Sequence, residues 1–207
     1  MSEKLQETIE TEFSESVDRE PVASAKNNKK WLLPIVAVLV IVLTISIISS
    51  FKRKAYKEDL ETTVTSIMRY AVEAEEGALL IHDVWMNAIY EDRDSRTDKY
   101  TRPYGYFVSD FNIALTNLFK DDMFSAKTYI LNEAAERMKS QVLELKDVPS
   151  GFEEEYEACK KLYNAYADLT KLGTNPTGSL IIYSQAIEST VDKVEDCYLE
   201  YKALANE

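Results

Sequence analysis

Twenty-one consecutive residues, Trp31 to Phe51 (WLLPIVAVLVIVLTISIISSF), carry no charge and only four hydroxyls, Thr44, Ser46, Ser49 and Ser50. As a helix rising about 1.5 Å per residue the run covers roughly 31 Å, the thickness of a bilayer's hydrocarbon core. Lys26, Lys29 and Lys30 precede it, and Lys52, Arg53 and Lys54 follow. Trp31 stands at the boundary, where an amphipathic ring is well placed. Pro34 falls in the first turn, where its missing N–H interrupts no helical bond. The competing reading, a buried core helix, needs neighbours that cover an apolar surface all the way round. The run therefore predicts a single transmembrane helix over residues 31–51, in contact with the lipid bilayer. It is too long for the apolar core of a signal peptide and ends in Ser-Ser-Phe-Lys-Arg, without a small-x-small cleavage pattern. It reads as an uncleaved signal-anchor.

The span separates an acidic tail, residues 1–30, from a domain, residues 52–207. The tail has five Lys/Arg against seven Asp/Glu and only Leu5, Ile9 and Phe13 as larger apolar residues near its start. It cannot bury enough surface to offset the entropy of folding, so it is expected to be disordered. The domain has nineteen Lys/Arg against twenty-nine Asp/Glu, a net charge of −10. That balance excludes nucleic acid as a partner and leaves no broad basic surface for anionic lipid. Basic residues near the span nearly tie, four on the N-terminal side and five on the C-terminal side. A short tail before an anchor commonly stays inside, which predicts a cytoplasmic N-terminus and an extracytoplasmic domain.

After the span no Pro occurs until Pro103, and Gly77 is the one Gly before Gly105. Leu60, Val64, Ile67, Ala71, Ala74, Ala78, Ile81, Trp85 and Ala88 recur at alternating spacings of four and three. Nine successive matches predict one long helix with a heptad seam, continuous with the span. Met68, Leu79, Leu80, Val84 and Ile89 widen the stripe toward a bundle with more than one neighbour.

The run EDRDSRTDK (91–99) is charged and aperiodic, and Pro103 and Gly105 mark a turn. A helical pattern through Phe107, Phe111, Leu115 and Leu118 slips at Lys120-Asp121-Asp122 and resumes with Phe124, Leu131, Met138 and Leu145, which predicts a break or kink near Asp121. Pro149-Ser150-Gly151 ends that section, residues 152–172 form another helix, and residues 173–179 connect it to a last one, with Ser179 or Thr177 as its cap. No stretch alternates with the period of a strand. The fold class is all-α, the anchor helix continuing into an antiparallel bundle of four or five helices.

Chemistry is sparse. The lone histidine, His82, has Leu79 three residues before it, so a carboxylate-bridged di-iron site is excluded. Cys159 and Cys197 rule out paired-cysteine metal motifs. Their unequal distances from the connecting loop differ by about five residues, roughly 7–8 Å along a helix axis. Two readings stand: a disulfide reached through a helix offset, or two small buried apolar groups. No phosphate-binding loop, nucleophile elbow or zinc-protease motif is present, so no enzyme and no cofactor are expected. Tyr100, Arg102, Tyr104, Tyr106 and Phe107 cluster at the first loop. Aromatics beside Arg suit a partner-binding tip; the favoured reading is a cap folded onto its own bundle.

Three segments, Leu145-Lys-Asp-Val-Pro-Ser-Gly-Phe-Glu-Glu-Glu-Tyr, Leu162-Tyr-Asn-Ala-Tyr and Asn175-Pro-Thr-Gly-Ser-Leu-Ile-Ile-Tyr-Ser, carry a resemblance. The chain resembles uncharacterised helical proteins of Gram-positive bacteria, anchored in the membrane at their N-terminus, with an Asn-Pro-Ser-Gly-Ser-Leu loop. The similarity covers about residues 110–205, and Thr177 departs from the pattern. It implies a bacterial, extracytoplasmic domain and no particular activity.

The sequence supports two functional expectations. The first is a non-enzymatic membrane-anchored bundle that works through an unknown protein partner, a second copy included, in the cell envelope. The second is a sensory or ligand-binding bundle with a small molecule between its helices. A polar-lined pocket near Trp85 and the tyrosines would favour the second, and a packed seam with an exposed apolar stripe the first.

Overall fold

Helix α1 (Lys29–Tyr90) is the longest element, and the other five helices come after it through turns and short loops. The computed structural model describes residues 29–206, with side chains from residue 41 onward apart from residue 43. The predicted disordered tail, 1–30, lies outside the described residues except for its last two. Among the described residues no helix is long and apolar enough to cross a membrane; the side chains of residues 31–40, about half of the predicted span, are outside them. The chain divides into two units, residues 1–48 and 49–207, and the second holds the bundle.

Beyond α1 lie α2 (Asp98–Thr101), α3 (Phe111–Lys120), α4 (Asp122–Glu144), α5 (Glu153–Thr174) and α6 (Leu180–Ala205). The fold is all-α, as the periodicity predicts, and it is a helical bundle. Directions are fixed by the cross-links. Glu76, Tyr70 and Tyr56 of α1 meet Lys127, Arg137 and Leu145 in that order, so α4 runs antiparallel to α1. Gly173, near the end of α5, meets Ala74 and Gly77, while Phe152 at its start packs tilted against Tyr56, so α5 runs parallel to α1. Tyr183 at the start of α6 reaches Ala78 and Leu172, and Glu200 near its end pairs with Lys161 of α5, so α6 runs down again. The four long helices therefore alternate in direction.

All nine heptad residues from Leu60 to Ala88 are buried. The small ones let α5 come close. Removing this apolar surface from water is the main favourable term, on the order of 1.5–3 kcal/mol for each large aliphatic side chain. One core cluster gathers Tyr56 to Ala74 with Leu131, Met138, Leu162 and Tyr166. A second gathers Ala78 to Ala88 with Leu118, Phe124 and Tyr183.

Local chemistry sets the boundaries. α1 stops where Glu91 takes a left-handed backbone (φ 57°) and the Asp92 N–H reaches back to the Asn87 carbonyl, a helix end with a non-glycine in the left-handed position. The break expected near Asp121 is a true stop. Asp121 is extended (ψ 126°), and its Oδ1 accepts from the N–H groups of Met123 and Phe124, both at 3.1 Å. Ser179 rather than Thr177 caps α6, its hydroxyl accepting from the Ile182 N–H.

Candidate functional site

The tip residues separate into two groups. Tyr100 is buried, and its carbonyl accepts from Asn117 Nδ2 at 3.0 Å. Lys99 Nζ lies 4.6 Å from the Tyr100 ring centre and pairs with Asp121 at 2.9 Å. Arg102 pairs with Asp98 at 3.0 Å, donates to the Gly105 carbonyl at 2.6 Å and covers the Phe107 ring at 5.1 Å. Tyr100, Arg102 and Phe107 thus form a cap held by its own contacts. Tyr104 and Tyr106 remain, 80 % and 69 % exposed, their rings 6.2 Å apart on either side of Gly105. A positive φ of 86° explains the glycine between them.

Under the cap, Trp85 is enclosed by Phe111, stacked at 5.3 Å, and by Tyr183 at 5.8 Å. Asn87 donates to Thr97 Oγ1 at 2.8 Å, a buried pair that ties α1 to α2. The space the sensory expectation reserves for a ligand around Trp85 is occupied by these side chains.

Cys159 and Cys197 are free thiols, both buried. The disulfide alternative is thus not formed here. The two residues pack in the same core as small apolar groups on adjacent helices, and burial pushes the Cys159 thiol up to about 12. Among the described residues no group of three or more His, Cys, Asp or Glu is placed to hold a metal ion.

A groove lies between α1 and α6. Two cavities, of about 350 and 320 Å³, share Glu75 and Val191 and so adjoin along it. Its α1 wall is Met68, Val72, Glu75, Leu79 and His82, spaced four, three, four, three. Its α6 wall holds Ser184, Glu188, Val191, Glu195 and Tyr198 at the same spacing, with Ile187, Asp192 and Val194 beside them. Val72 and Leu79 are 52 % and 44 % exposed. Four carboxylates rim the groove, those of Glu75, Glu188, Asp192 and Glu195. They form no ion pair among the described residues. Cations close in sequence turn away: Lys193 pairs with Asp168 of α5 at 3.7 Å, and the Arg69 guanidinium lies over the Tyr70 ring.

The sequence analysis predicts no site here. Its signal was available as a second stripe of heptad spacing beside the buried one, visible only as a widening of the apolar face. No known protein family, curated protein or solved structure matches the chain.

Proposed function

We propose that the chain is a membrane-anchored, non-enzymatic helical domain that works by protein–protein contact in the bacterial cell envelope, the anchor being residues 31–51 and the domain lying outside. The observation that carries the anchor is the state of the side chains on its second half. Ile41, Val42, Ile45, Ile47, Ile48 and Phe51 are each more than half exposed. The hydroxyls of Thr44 and Ser46 fold back onto the carbonyls of Ile41 and Val42 at 2.8 and 2.9 Å. A helix whose apolar side chains face outward while its hydroxyls satisfy themselves on its own backbone suits hydrocarbon far better than water.

The interaction reading is supported by the packed Trp85 region and by the half-open apolar groove between α1 and α6. The resemblance in the loop at residues 175–180 supports the placement outside the cell. External protease on intact cells carrying a C-terminal tag tests the topology: the tag is removed without lysis. In-cell crosslinking of the tagged full chain tests the interaction: a discrete protein adduct forms. A tag cut only after lysis, or the absence of any adduct, overturns the corresponding half of the reading.

A further inference from the structure

Resting on that reading of the domain as an interaction module, we propose that the groove between α1 and α6 receives a basic amphipathic helix from another protein. Three observations select this occupant. The two walls run antiparallel and both present side chains at alternating spacings of four and three, the lattice into which the knobs of a third helix fit. From Met68 to His82 the α1 wall is about 21 Å long, four turns of a partner helix. Its buried floor is apolar, with Ala71, Leu169, Ile187 and Val194, and Met68, Val72, Leu79 and Val191 line the walls above it, so the partner's inner face is apolar.

Charge decides the rest. The four rim carboxylates have no cation of their own among the described residues, so Lys or Arg flanking the partner's apolar stripe completes them. A second copy of this chain is a poor occupant, because a symmetric contact brings Glu75, Glu188, Asp192 and Glu195 against the same groups. The chain's own tail is also excluded on charge. Its Leu5, Ile9 and Phe13 stripe is interleaved with Glu3, Glu7, Glu10 and Glu12.

The test uses the full chain in nanodiscs of zwitterionic phosphatidylcholine, with empty nanodiscs as the blank. The probe is a fluorescent Leu/Lys peptide of about fifteen residues, roughly 22 Å as a helix, with leucines at three- and four-residue spacing. A Leu/Glu peptide of the same pattern is the counterpart. The chain binds Leu/Lys and not Leu/Glu. The triple variant E75K/E188K/D192K weakens binding about tenfold, as three rim pairs of ordinary strength require. The matched variant E133K/E144K/D147K, with the same change of net charge on exposed α4 and loop positions, leaves it within about threefold. Circular dichroism checks that both variants fold. Should the triple variant not fold, Leu79→Gln at its half-exposed site carries the test, with an expected loss of about fivefold.

Binding no stronger than to empty nanodiscs, equal weakening by both triple variants, or equal binding of the Leu/Glu peptide overturns the proposal. If any of these occurs while the in-cell adduct persists, the groove assignment falls and the interaction module stands.

Discussion

Gly173 of α5 lies so close to Ala74 of α1 that a Cβ on the glycine would fall 2.5 Å from the Ala74 carbonyl oxygen. The obstruction is backbone, which cannot rotate away. Gly77, one turn further along α1, faces the Gly173 carbonyl, and a Cβ there would come to 3.1 Å. The two positions mark a close backbone approach of the parallel pair α1 and α5. Ala in place of Gly within a helix gains about 1 kcal/mol of propensity, whereas overpacking a tight interface costs about 1–3 kcal/mol. With a 2.5 Å approach to backbone the cost lies at the upper end, and Gly173→Ala is expected to destabilise by about 2 kcal/mol after that gain. Gly77→Ala, where a few tenths of an ångström suffice, falls within about 0.5 kcal/mol of neutral. Urea unfolding followed by circular dichroism measures both, and equal effects at the two sites would contradict the geometry.

Tyr183 joins three helices at one atom. Its buried hydroxyl sits 2.8 Å from the Leu172 carbonyl of α5 and 3.3 Å from the Ala78 carbonyl of α1. Tyr183→Phe keeps the ring against Trp85 but leaves the Leu172 carbonyl, whose partner four residues on would be Pro176, short of a donor, a loss of about 1–3 kcal/mol. The unfolding midpoint should fall with an unchanged denaturant dependence. A midpoint equal to wild type would show that the hydroxyl contributes nothing there.

Asp121 both ends α3 and caps α4, and Lys99 pairs with its second oxygen. The Lys99 ammonium and the Phe124 N–H hold its carboxyl below the usual carboxylate range. Asp121→Ala is expected to cost about 1 kcal/mol at neutral pH, the usual worth of a helix cap. Linkage gives the sign of the pH dependence. A depressed carboxyl stabilises the fold above its unfolded value, near 4, and that stability is lost as pH falls below it. The gap between wild type and Asp121→Ala should therefore narrow in acid; a gap that widens contradicts the assignment.

The cysteines differ in access. Cys159 is fully enclosed and Cys197 is at the margin, 9 % exposed. A maleimide at neutral pH should label Cys197 first and Cys159 only through unfolding, because the protonated buried thiol is a poor nucleophile. Burial raises the Cys159 thiol, and also the Tyr166 and Tyr201 hydroxyls, each to about 12. Groups raised in the folded state stabilise it fully below their unfolded values and cease to do so as pH climbs toward the folded ones. The melting temperature should thus hold up to about pH 9 and fall between pH 9 and 12, less steeply in Cys159→Ala. An equal slope in the variant would remove the thiol from the account.

Much of the fold is legible along the chain because helix burial is periodic. The nine residues from Leu60 to Ala88, the slip at Asp121, the cap at Ser179 and the glycine turns each leave a local mark. The end of α1 is less legible, since Glu91 takes the left-handed conformation without the glycine that usually announces it. In the last helix, Leu180, Ser184, Val191 and Tyr198 share a heptad pattern with Ile187, Val194 and Tyr201, but the structure buries Tyr183 and Cys197 instead of the first four.

Period and capping are local properties, and the sequence by itself determined them: an all-α chain, the heptad stripe of α1, the stop at Asp121 and the cap at Ser179. Which helices become neighbours is a property of three-dimensional packing, and only the tertiary structure decided it. Two stripes on α1 carry the same spacing. The one with Ala71, Ala74, Gly77 and Ala78 is covered because small side chains admit the backbone of α5. The one with Val72, Glu75 and Leu79 stays half exposed along the groove beside α6, whose four acids form no ion pair among the described residues.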